Sequence, residues 1–214
     1  MLPSYGDKVM CSHALLQHLI ISVLFGLCPT FYGPDLLQAY DNFYEQLTLQ
    51  QRHLSARQKE TVWASLLACV REVHGFIHMK RAEKAGLTHK DLVQAVSIAA
   101  AADSWTVFGF SADYWSHWTH VDDLYQSYLT IYNAAVGDME KGLAHMIGSV
   151  CHGASRRKAP MVMHLQKAFM HGITVKQMSE ALSYMIIPCG GNTLIEAVTY
   201  WEEAAKSQLV PSPS

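Results

Sequence analysis

The chain has 214 residues, enough for one compact domain or two small fused ones. Hydrophobic residues make up 50% of it and charged residues 16%, which excludes an intrinsically disordered chain. A net charge of -2 at pH 7 leaves no basic excess for nucleic acid, and the cluster Arg156-Arg157-Lys158 is too short to supply one.

In chain order, residues 1–34 form an apolar extension. Its run Ala14 to Cys28 is long enough for a signal-peptide core but short of the ~20 residues that span a bilayer, and Gln17 and His18 interrupt it. Little positive charge precedes the run, since Asp7 offsets Lys8, and no small-x-small cleavage site follows. We expect a packing or dimer-contact helix there, and no membrane association. Five cysteines, Cys11, Cys28, Cys69, Cys151 and Cys189, stand far apart without a CxxC. That is the usage of free thiols in a reducing compartment, so the expected location is the cytoplasm.

From Pro34 the pattern is helical. Pro34-Asp35 opens DLLQAYDNFYEQL, and Ser55 caps a helix through Cys69. A helix carrying His78 ends at Ala85-Gly86, where glycine accepts a left-handed C-cap, and Thr88 caps the next helix, KDLVQAVSIAAAADSW. Asp123 opens DLYQSYLTIYNAA, a helix equivalent to the Ser55 one covers about 139–155, and His171-Gly172 and Thr174 repeat the stop and the cap. Alternating Val- and Ile-rich strands are missing, so the fold class is all-α.

The recurrence has one register. Ala68, Arg71, His78, Ala82, Gly86, Thr88, Lys90, Ala95, Ser97, Tyr114 and Trp115 match Ala154, Arg157, His164, Ala168, Gly172, Thr174, Lys176, Ala181, Ser183, Tyr200 and Trp201, each 86 positions on. We read two tandem helical repeats, 35–119 and 120–206, and a flexible tail, 207–214. Arg71 and His78 are seven apart, two turns, and share a face if the segment is helical throughout.

The run LSARQKETVWASLLACVREVHGFIHMKRAEKAGLTHKDLVQAV resembles the carboxymuconolactone decarboxylase family, which includes the alkyl hydroperoxidase D-like proteins. The resemblance covers both repeats, about 35–203, and implies a fused two-repeat member, assembled as a homo-oligomer. The peroxidase branch uses C-x-x-C-x-x-x-H. Here those cysteine positions hold Arg71 and His74 before His78, and Arg157 and Pro160 before His164, so both dithiols are absent. The decarboxylase branch carries Arg-Glu ahead of the His, as Arg71, Glu72 and His78 do, but departs at Val73 and His74. In the second repeat Lys158 replaces the Glu, which makes that repeat an electrostatic or structural partner of an active first one.

The resemblance implies a lyase, and the chemistry is consistent with it. Loss of CO2 from a carboxylated butenolide leaves a carbanion that the conjugated carbonyl delocalises, so no cofactor is expected. Arg71 would bind a carboxylate or stabilise enolate charge, and His78 or Glu72 would deliver the proton, with His74 completing the catalytic set. Arg157, His164, His152, Cys151 and Trp105 are expected on the substrate-binding side, Trp105 within an aromatic wall of Phe108, Phe110, Tyr114, Trp115 and Trp118. The partner is a small carboxylated lactone or enolisable ring compound, and isomerisation or cyclisation would use the same groups. His74 and His78 have the H-x-x-x-H spacing of zinc helices, but two ligands are not a site, and no metal is expected. Two alternatives remain: an oxidant-handling hydroperoxidase-like enzyme, and a non-catalytic helical scaffold.

Overall fold

A computed structural model describes residues 34–213. The apolar run Ala14 to Cys28, with Cys11 and Cys28, lies outside the described residues. The chain divides into two compact units, Met1–Gln50 and Gln51–Ser214, a cut that passes through the segment expected to open the first repeat. Every described element is helical, eleven α-helices with short 3-10 and π turns.

The described part of the first unit is α1, Pro34–Tyr44, which runs into a π-helical turn, Glu45–Leu49. Proline at the first helical position and Asp35 in the first turn suit a helix start, because no N–H is lost there and the carboxylate faces the positive end of the dipole.

The second unit opens with α2, Ala56–Val70, where Ser55 and Gln58 form a reciprocal capping box. A 3-10 turn, Val73–Gly75, leads into α3, Phe76–Lys84, and then α4, His89–Tyr114, capped by Thr88 and Asp91. A four-residue α5, Ser116–Thr119, precedes α6, Val121–Val136. The chain continues with α7, Lys141–Ala154, α8, Lys158–Met170, and α9, Val175–Ser183, the last capped by Thr174 and Gln177. It closes with α10, Ile186–Cys189, and α11, Gly191–Lys206.

The expected stops and caps are in place. Gly86 and Gly172 adopt φ 81° and 87°, conformations a side chain would resist, and Thr88 and Thr174 each cap the helix that follows. The halves then diverge: α4 continues for 26 residues, whereas α9 stops at Ser183 and the chain re-enters as α10 and α11. Pro188 and Gly190, at φ 82°, account for that break. By length and composition α4 is the one described helix able to cross a membrane, and it buries Ala95, Ile98, Ala99, Ala101, Ala102 and Trp105 inside the unit.

At the centre lies α7, buried from Gly142 to Gly153 and packed against α2, α4, α8, α9 and α11. It runs parallel to α2: the Cys151 thiol lies 3.9 Å from the Ser65 carbonyl, and one turn on the Cys69 thiol lies 3.8 Å from the Ser155 hydroxyl. Glycines permit the approach. A Cβ on Gly148 would stand 2.6 Å from the Tyr132 hydroxyl and 2.7 Å from His164 Nδ1.

Glu180 on α9 ties this core to the loop before α2. One carboxylate oxygen accepts the backbone N–H groups of His53 (2.6 Å) and Leu54 (2.9 Å), and the other accepts the Tyr184 hydroxyl at 2.7 Å. Glu180→Ala would orphan all three donors and should lower stability by about 1–3 kcal/mol, read as a lower denaturant midpoint at unchanged slope.

Candidate functional site

Arg71 ends α2. It sits at φ 59°, and the turn is closed by the Arg71 N–H donating to Ala68 and the Glu72 N–H to Leu67. After α7 the left-handed position is Arg156, at φ 56°, and it is the Arg157 N–H that donates back to His152. By backbone role Arg157 therefore stands where Glu72 does, one residue out of step with the sequence register.

The two motif arginines nevertheless meet. Arg71 Nη2 lies 2.7 Å from Asp103 Oδ2, and Arg157 Nη2 lies 2.8 Å from Asp103 Oδ1. Arg157 also donates to the Thr106 hydroxyl (2.8 Å) and the Ala102 carbonyl (3.2 Å), all on one stretch of α4. Its side chain is 22% exposed against 75% for Arg71, so Arg157 is the fixed arm and Arg71 the free one. The hydrogen bond from Arg157, opposed by partial burial and aided by Arg71, holds the Asp103 carboxyl below its ordinary range. Two guanidiniums on one carboxylate leave a surplus positive charge.

His78 goes elsewhere. The expectation that Arg71 and His78 share a helical face is corrected, because the helix stops at Arg71 and restarts at Phe76. His78, 3% exposed, places Nδ1 2.9 Å from Glu60 Oε2 and stacks on Trp63 at a 4.2 Å ring separation, with Trp63 stacked in turn on Tyr184. Burial lowers the His78 pKa, against the opposing pull of Glu60. Glu72 is exposed on the turn. His74 lies in the 3-10 turn rather than on α3, so His74 and His78 do not share one helix, and the His74 side chain lies outside the described residues.

The residues expected on the substrate side do come together. Tyr128 on α6 sets its hydroxyl 2.7 Å from His152 Nε2 and 2.7 Å from His164 Nε2, and His164 Nδ1 lies 2.9 Å from His145 Nδ1. His152, His164 and Tyr128 are fully buried, and burial drives His152 to about 3, His145 to about 4 and His164 well below the usual imidazole range. All three are therefore neutral at pH 7. Trp105 packs its edge on Tyr128 at 5.1 Å and Phe108 lies nearby, whereas Phe110, Tyr114 and Trp115 cluster on one another at the exposed end of α4.

Glu60 and Tyr128 escaped the sequence reading. For Tyr128 the signal was present in spacing: His145, Ser149 and His152 fall on one face of an otherwise apolar helix, as Tyr128 and Tyr132 do on α6. Cys69 and Cys151, 82 residues apart, also meet, with the Cys69 thiol 3.7 Å from the Cys151 carbonyl. Hydrogen bonding by the Cys151 side chain, then by the Ser155 hydroxyl, with the field of Arg157, outweighs burial and lowers Cys69 to about 7, while the side-chain hydrogen bond with Cys69 and full burial raise Cys151. Among the described residues no group of three or more His, Cys, Asp and Glu side chains is arranged to hold a metal ion.

No protein-family model, no curated protein and no solved structure matches the chain.

The Cys69 thiolate should form as pH rises through about 7, and Cys151→Ala, which removes the largest stabilising contact, should move that midpoint upward. Alkylation rate against pH, with Cys69 identified by mass spectrometry, measures both; an unmoved midpoint in the variant counts against this account.

Proposed function

We propose that the chain is a cofactor-independent enzyme of the carbon–carbon lyase or isomerase/cyclase class, acting on a small carboxylated lactone or enolisable ring compound. The proposal includes the finer fold, two tandem repeats of the carboxymuconolactone decarboxylase type, and assembly as a homo-oligomer in the cytoplasm. What supports the reading is the convergence of Arg71 and Arg157 on Asp103, with a buried row of neutral His and Tyr groups close enough for both Arg157 and Asp103 to act on His152.

A substrate carboxylate takes the surplus charge. Arg157 keeps its three contacts to α4, and Arg71, largely in water, swings from Asp103 to the ligand. The same charge stabilises an enolate formed at the neighbouring carbon. In decarboxylation the bond to CO2 breaks, its electron pair enters the conjugated carbonyl, and a proton returns to carbon; in isomerisation a C–H bond breaks instead.

Titration with small lactone and aromatic carboxylates tests the assignment. Arg71→Gln should weaken binding by about 10- to 100-fold, the equivalent of one charge-assisted hydrogen bond, and Arg157→Gln, which removes only a neighbouring charge, should weaken it less. Equal affinity in both variants and the parent would remove the site.

The meeting of Cys69 and Cys151 favours a second reading, oxidant handling. A Cys69 thiolate would attack a hydroperoxide oxygen, releasing the alcohol and leaving a sulfenic acid; the Cys151 thiol would condense with it to a disulfide and water, for an external dithiol to reduce. Here Cys69→Ser abolishes peroxide turnover and Arg71→Gln does not.

A further inference from the structure

The row of buried rings has a property that its distances impose. Tyr128 owns one O–H, yet its oxygen is 2.7 Å from two imidazole nitrogens. One ring must accept that proton and the other must donate its own N–H to the oxygen, so His152 and His164 hold opposite tautomers. His164 passes the constraint on, because its Nδ1 faces Nδ1 of His145 and only one of those two atoms carries a proton. Tyr132 stands apart, its hydroxyl committed to the Ala144 carbonyl at 2.7 Å.

At one end of the row, His152 Nδ1 is buried with no hydrogen-bond partner, the Arg157 N–H donates to the His152 carbonyl at 2.9 Å, and the charges of Arg157 and Asp103 act on the ring. At the other, His145 keeps 6% exposure and its ring stacks on exposed His171. We propose that His152, Tyr128, His164 and His145 form a proton relay joining the Arg157–Asp103 clamp to solvent, with a fixed resting direction.

The direction follows from the orphan. A buried N–H without an acceptor costs more than a bare lone pair, so His152 carries its proton on Nε2. Then His152 donates to Tyr128, Tyr128 donates to His164 Nε2, His164 Nδ1–H donates to His145 Nδ1, and His145 holds Nε2–H toward water. A proton taken up at His152 Nδ1 shifts each of these one place and releases one from His145 Nε2, leaving every ring neutral. At rest the relay is therefore a base toward the clamp. It takes a proton before it gives one, which within the enzyme reading, on which this last step rests, favours isomerisation over decarboxylation.

Long-range nitrogen–proton NMR of the histidine-labelled full chain at pH 7 reads the tautomers without substrate. Nε2–H on His152 with Nδ1–H on His164 is expected. The same tautomer on both rings, or an imidazolium at either, overturns the relay, and the reverse pairing overturns its direction. In Tyr128→Phe the opposed pairing should be lost; tautomers unchanged from the parent would show that the hydroxyl does not couple them. These readouts are separate from carboxylate binding in Arg71→Gln, so the relay and the enzyme assignment fail independently.

Discussion

A helix buried along its whole length has to find partners for its polar groups inside the protein, and α7 is such a helix. His145, Ser149, Cys151 and His152 all lie on it. Ser149 satisfies itself on the carbonyl one turn back, but the imidazoles need other elements, and α6 and α8 supply Tyr128 and His164. Glycine at 148 follows from the same demand, since a methyl group there would press on Tyr132 and His164, whereas Gly153 makes room for the apolar side chains of Met161, Met185 and Ala197. Its parallel course beside α2 likewise brings Cys151 against Ser65 and Cys69.

The two halves meet this demand with different chemistry. In the first, His78 is buried against a carboxylate, Glu60, and capped by an indole face. In the second, His164 is buried against His145 and a phenol, with no acid in the row. Beside His78 the carboxylate only opposes the loss of charge that burial imposes, whereas a row of neutral groups favours exchange of tautomers without net charge. Arginines contributed by both halves share Asp103 outside these interiors, Arg71 largely in water and Arg157 mostly covered.

Local chemistry was what the sequence made legible. Thr88, Thr174, Gly86 and Gly172 act on neighbours within a few residues, so their pattern names the cap and the stop directly. The Arg71–His78 face was misjudged because a seven-residue spacing presumes an unbroken helix, and nothing in REVHG announced the left-handed turn at Arg71. Pairings such as Glu60 with His78, Arg157 with Asp103, and Tyr128 with two histidines join different helices, well beyond the reach of a local pattern. Periodicity gives each helix a face without saying which helix that face meets, so residue types were recognisable and their partners were not.

The left-handed conformation of Arg71 carries one more consequence. An L-residue with a large side chain costs about 1–2 kcal/mol there, and the chain avoids that cost with glycine at two comparable stops, Gly86 and Gly172. Arginine at 71, like Arg156 at the equivalent turn after α7, forgoes that saving, so both turns that flank the Asp103 pair hold backbone strain that a glycine would release.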